Sequence, residues 1–152
     1  MTIRFIYFDM GGVLLSFCHD RMCRQMAAVA GVEAAVVKEA IMGGLPRETL
    51  QWRMERGDLD ADEVFRQFCD RVGVAPDRAA LFAAASDIFA PIEPTIAVVQ
   101  KLASARIPLG ILSNTNPHDW ASVTNGRFPF VRDFFPVAAL SYEARAMKPE
   151  RE

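Results

Sequence analysis

Three short apolar runs, Ile3 to Phe8, Ile107 to Leu112 and roughly Pro136 to Leu140, set the terms on which this chain can fold. Each is nearly continuous in apolar residues and closed by small or polar ones, the pattern of strands in a parallel sheet covered on both faces. Parallel neighbours need a crossover of at least a dozen or so residues, which commits the chain to an α/β architecture. The closing residues are Asp9, then Ser113 and Asn114, then Ser141 and Tyr142. All would stand at carboxyl ends of strands, the edge where open α/β sheets bind ligands.

Between the first two runs lie residues 9 to 106, far more than a crossover needs, and most of them read as helix. Asp20 to Ala30 stops at Gly31, Glu33 to Met42 at the Gly43-Gly44 pair, and Pro46 to Arg56 begins with a proline suited to a first helical turn and ends at Gly57. Asp60-Ala61-Asp62-Glu63 has capping-box spacing ahead of VFRQFCDRV, and a fifth helix is predicted from near Asp77 through Phe89. Trp52, Phe65 and Phe68 read as packing among these helices, with room for one of them to face a site. A further helix, about Thr95 to Ala105, leads back to the sheet. The predicted organisation is a core of residues 1–15 and 91–152 with a helical bundle, residues 16–90, inserted into it.

With 152 residues, 51% of them hydrophobic, the chain can bury one sizeable core. A net charge of -2 and the absence of any basic run argue against nucleic acid as a partner. No apolar stretch approaches the roughly 18 residues of a membrane span, and MTIRFIYFDMGG lacks the marks of a signal peptide, so no membrane role and a cytoplasmic location are expected. Cys18, Cys23 and Cys69 have no paired spacing and read as buried or half-buried free thiols. His19 and His118 have no metal-ligand partner at helical spacing, and His118 reads as a surface residue at a helix N-terminus.

Asp9 with Gly11 and Gly12 behind it puts a carboxylate beside a chain able to turn tightly around a ligand, although the same residues also suit an ordinary turn. Ser113 and Asn114 offer a hydroxyl and an amide to a phosphoryl oxygen, and equally suit the N-cap of a helix beginning near Pro117. Lys148 alone is a surface lysine. Their order, an acid after the first strand, Ser-Asn after the second and a lysine past the third, brings all of them to one sheet edge.

Taken together, Asp9-Met10-Gly11-Gly12-Val13-Leu14, Ile111-Leu112-Ser113-Asn114 and Lys148-Pro149 resemble the motifs of the haloacid dehalogenase-like (HAD) hydrolases, in the subfamily with a helical cap inserted after the first strand. The resemblance implies a Rossmann-like core with that cap, and hydrolysis of a small phosphorylated metabolite through an aspartyl-phosphate intermediate. Asp9 would be the nucleophile and a Mg²⁺ ligand, with the Gly11 backbone carbonyl as a second ligand. Gly11, Gly12, Ser113, Asn114 and Lys148 would hold the phosphate, and Lys148 would neutralise the charge shared by nucleophile and substrate. Phe17 and Arg21, in the first cap segment, are the candidates for choosing the substrate.

Two departures qualify the resemblance. The family's usual second aspartate, the proton donor to the leaving group, is replaced here by Gly11, a loss worth on the order of 10² to 10⁴ in rate. That keeps three readings open: a phosphatase whose substrate needs less help, a 2-haloacid dehalogenase, whose halide leaves without a proton, and a catalytically weak binding module. Glu152 follows Lys148 by only four residues, and Glu150 and Glu152 stand too close to it to supply the family's last acidic motif. The expectations are an α/β core incomplete at its C-terminus, an incomplete Mg²⁺ site, and a first strand left as an exposed apolar edge through which two copies could pair.

Overall fold

The computed structural model describes residues 3–150. Three parallel strands, β1 (Ile6–Phe8), β4 (Leu109–Ser113) and β5 (Val137–Leu140), form the main sheet in the order β1-β4-β5. The register sets Tyr7 beside Gly110 and Gly110 beside Val137. A second, two-stranded sheet pairs β2 (Leu15–Ser16) antiparallel with β3 (Ala90–Pro91), so the chain leaves the core and returns to it at adjacent points.

The sheet departs from the expected double coverage. Ile111 and Leu140, on one face, are fully buried, and Phe8 there meets Phe135 edge to face at 5.8 Å. The other face carries Tyr7 at 53% exposure, Leu112 at 41% and Val137 at 44%. These exposures leave that face open among the described residues, and β1 and β5 are the sheet's two edge strands. Gly110 is required here, because a Cβ would lie 2.8 Å from the rings of both Phe5 and Tyr7, which pack together across it.

Five helices fill the long insertion: α1 (His19–Ala30), α2 (Ala34–Met42), α3 (Leu50–Arg56), α4 (Ala61–Val72) and α5 (Arg78–Ser86). Their common core holds Val37, Leu50, Phe68 and Leu81. The capping box at α4 forms as its spacing predicts: the Glu63 amide donates to Asp60 Oδ1 at 2.8 Å, and the Asp60 amide to Glu63 Oε2 at 2.9 Å. Two boundaries differ from the sequence reading. Helix α3 starts at Leu50 rather than Pro46, because Thr49 caps it by accepting from the Trp52 amide at 3.1 Å. Helix α5 stops at Ser86, where Asp87 turns aside to pair with Arg21 at 2.8 Å and Arg127 at 2.6 Å. Cys18 is exposed rather than buried, and its sulfur caps α1 by accepting from the Arg21 amide at 3.4 Å.

The core adds α6 (Glu93–Ser104), α7 (Pro117–Thr124), α8 (Pro129–Phe134) and the short α9 (Ser141–Ala144). The insertion is fastened over the carboxyl edge of the sheet where α3 meets α9. Ser141 Oγ donates to the Glu55 carbonyl at 2.6 Å and accepts from the Thr115 amide at 2.9 Å. Gly57, at φ 80, passes so near the Tyr142 carbonyl that any Cβ would collide with it. No helix among the described residues is long and apolar enough to cross a membrane.

Candidate active site

Asp9 ends β1 at the point where the chain turns back on itself. The Met10 carbonyl accepts from the amides of Leu14 and Leu15, both at 2.9 Å, and the Gly12 amide donates to the Leu15 carbonyl at 2.8 Å. Gly12 sits at φ 76, a left-handed conformation that favours glycine. The Asp9 carboxylate is fixed at both oxygens. Oδ1 accepts from the Met10 amide at 2.8 Å, and Oδ2 accepts from Lys148 Nζ at 2.8 Å. The lysine also donates to the Leu112 carbonyl at 2.7 Å.

Asn114 accounts for the lysine's position. Its Nδ2 donates to the Lys148 carbonyl at 3.0 Å while its Oδ1 accepts from the Lys148 amide at 2.9 Å, tying the loop after β5 to the end of β4. The helix-capping role that Ser113-Asn114 might have taken belongs to Asn116, which accepts from the amides of His118 and Asp119 at the start of α7. Ser113 is buried at the end of β4, with its hydroxyl directed to the Asn114 carbonyl at 3.2 Å.

A cavity of about 300 Å³ opens between the insertion and the sheet edge. Asp9, Gly11, Phe17 and Asn114 line it; Arg21 does not, being engaged by Asp87 and by Gln25 on the outer side. Phe17 lies over Gly11, and a Cβ at position 11 would stand 3.0 Å from the Phe17 ring. A side chain at position 11 would meet that ring and enter only with a shift of Phe17. Phe65 and Phe68 also reach the cavity wall.

The cavity also carries polar groups that the sequence did not single out. Glu55 of α3 and Asp119 of α7 both face it. Burial pushes the Glu55 carboxyl up to about 7, aided by the nearby Asp119 and opposed by the Gln51 amide. Burial likewise pushes Asp119 up to about 6. Gln51 Nε2 donates to Glu55 Oε1 at 2.9 Å and sits 3.0 Å from His19 Nε2. His118 is half-buried and stacked on Phe82 at 4.0 Å, not a free surface residue as its sequence position suggested. Burial lowers the pKa of both histidines and favours their neutral forms. Polarity alone gives no signal for Glu55 or Asp119, because a charged residue on a helix reads as its solvent face until the partner element is known.

As a metal site the edge offers one carboxylate, Asp9, and the main-chain carbonyl of Gly11. No group of three metal-ligating side chains occurs among the described residues. Those two oxygens are of the kind Mg²⁺ takes, and they suffice only where substrate phosphate and water complete its shell. Glu150 is turned away, accepting from the Met147 amide at 3.0 Å and lying 3.5 Å from Arg56; Glu152 lies outside the described residues.

No family model and no curated protein matches the sequence. Solved structures do match its fold. A HAD family enzyme from Bacteroides thetaiotaomicron, in complex with magnesium and inorganic phosphate, superposes with a TM-score of 0.81 at 23% identity, covering 98% of this chain and 74% of that one. A variant of that enzyme with one aspartate changed to alanine, also with magnesium and phosphate, gives 0.78 at 22% identity over 98% and 73%. A predicted HAD-like family hydrolase from Porphyromonas gingivalis gives 0.72 at 22% identity over 97% and 71%. The fold is that of the HAD family enzymes.

Proposed function

We propose that this chain, built on the fold of the HAD family enzymes, is a hydrolase that removes the phosphoryl group from a small organic phosphate through Asp9. One observation carries the reading: a strand-end carboxylate that lines the cavity and lies 2.8 Å from a lysine ammonium held by Asn114. An Asp9 oxygen attacks phosphorus, the bond from phosphorus to the leaving oxygen breaks, and water then hydrolyses the acyl phosphate. Lys148 offsets the charge that gathers on nucleophile and phosphoryl oxygens, which is most of what phosphoryl transfer asks of a protein. Asp9 and the Gly11 carbonyl would hold Mg²⁺, which when bound adds positive charge at those oxygens; the magnesium and phosphate in the Bacteroides thetaiotaomicron neighbour support this choice.

The phosphatase reading predicts that Asp9→Asn abolishes turnover of an aryl phosphate measured with added Mg²⁺, and undiminished turnover would overturn it. A second reading, removal of halide from a 2-haloacid, is favoured by Gly11, which puts no proton donor two residues after Asp9. Halide release in the presence of a chelator would select it.

A further inference from the structure

The two carboxyls that line the cavity besides Asp9 are unusual in their balance of charge. Glu55 comes from the insertion and Asp119 from the core, and neither is paired with a cation among the described residues. Glu55 Oε1 accepts from the Gln51 amide at 2.9 Å, and Asp119 Oδ2 from the Asn116 amide at 2.7 Å, with the Ser86 side chain also set against the Asp119 carboxyl. Two further polar atoms on the cavity's residues are buried with no partner, Gln51 Oε1 and Thr115 Oγ1. Thr115 is 3% exposed, so its hydroxyl has no recourse to bulk water. Proteins rarely leave buried polar groups such as these without partners.

We propose that Glu55 and Asp119 form a subsite for the ammonium group of a small aminoalkyl phosphate whose phosphoryl end lies at Asp9 and Lys148. The inference rests on the phosphatase reading for the placement of that phosphoryl end. A primary ammonium has three donors and no acceptor, suited to a wall on which Glu55, Asp119 and Gln51 all present acceptor oxygens. It also brings the counter-charge that two neighbouring carboxyls lack, and a hydroxyl does not. Met54, Phe65 and Phe82, which line the same cavity, give the apolar wall an alkyl linker needs. The raised pKa of both carboxyls is consistent with negative charge there lacking a counter-ion.

The test uses three phosphonates of equal length, which bind without being hydrolysed: 3-aminopropylphosphonate, 3-hydroxypropylphosphonate and butylphosphonate, titrated calorimetrically into the full chain with Mg²⁺. The amine should bind at least about tenfold more tightly than either of the others, as charge-assisted hydrogen bonds require. Glu55→Gln and Asp119→Asn should each bring the amine to within about threefold of butylphosphonate while leaving butylphosphonate itself unchanged. Equal affinities, a preference for the hydroxyl compound, no binding of any of the three, or an amine preference that survives both substitutions would overturn the subsite. Aryl phosphate turnover separates this from the parent reading. Turnover without amine preference removes the subsite alone, and amine-selective binding without turnover removes the phosphatase reading and leaves the subsite standing.

Discussion

Asp9 and Gly11 are two positions apart, yet only one of them brings a side chain to the chemistry. Filling position 11 is not a matter of adding a carboxyl, because Phe17 must yield first. Gly11→Asp alone should therefore change little, whereas Gly11→Asp combined with Phe17→Ala should raise turnover of alkyl phosphates, whose leaving groups need a proton, by on the order of 10² relative to Phe17→Ala alone. Comparing alkyl with aryl phosphates checks this, since aryl rates should move far less. Asn114→Ala removes both anchors of the Lys148 backbone and should lower kcat by about tenfold or more with a smaller change in KM, as expected of a residue that positions a catalytic group. The placement of Asp9 and Asn114 at one sheet edge was legible because both close apolar strand runs, whereas Lys148, beyond β5 and α9, was reached only through the resemblance. Glu55 and Asp119 were not legible, since which polar residue of a helix meets the cavity depends on how the insertion docks.

The helices show a similar division. Helix α4 was readable because its capping box is local, two side chains and two amides within four residues. The start of α3 was misread, since Pro46 satisfies the rule for a first turn while Thr49 supplies an actual hydrogen bond. The fastening of α3 to α9 lies beyond any local pattern, joining Glu55, Thr115 and Ser141 across long sequence separations. Ser141→Ala should cost on the order of 1–3 kcal/mol by stranding a buried amide and carbonyl. Gly57→Ala should cost more, combining a left-handed φ with a collision at Tyr142. Chemical denaturation of the two variants beside the parent checks both the sign and the order.

Across the whole molecule, the sheet was foreseen as parallel and the long insertion as helical, while coverage of both sheet faces was not borne out. Tyr7, Leu112 and Val137 leave an apolar face open beside the outer strand β1. Whole-chain stability should also depend on pH through the cavity. Folded Glu55 titrates near 7 against an ordinary 4.5, and Asp119 near 6 against 3.8, so between those limits the folded chain keeps protons that the unfolded chain has released. Stability is then full below the ordinary carboxylate range and falls as pH rises through about 7. Thermal unfolding at about pH 5 and about pH 8 should show the lower Tm at the higher pH, with the difference reduced in Glu55→Gln. The most direct test of the central claim is to quench the chain in acid during turnover of an aryl phosphate with Mg²⁺ and locate the phosphoryl group by peptide mass spectrometry. The account predicts phosphate on Asp9; turnover with the phosphoryl group on another residue, or no turnover at all, would contradict it.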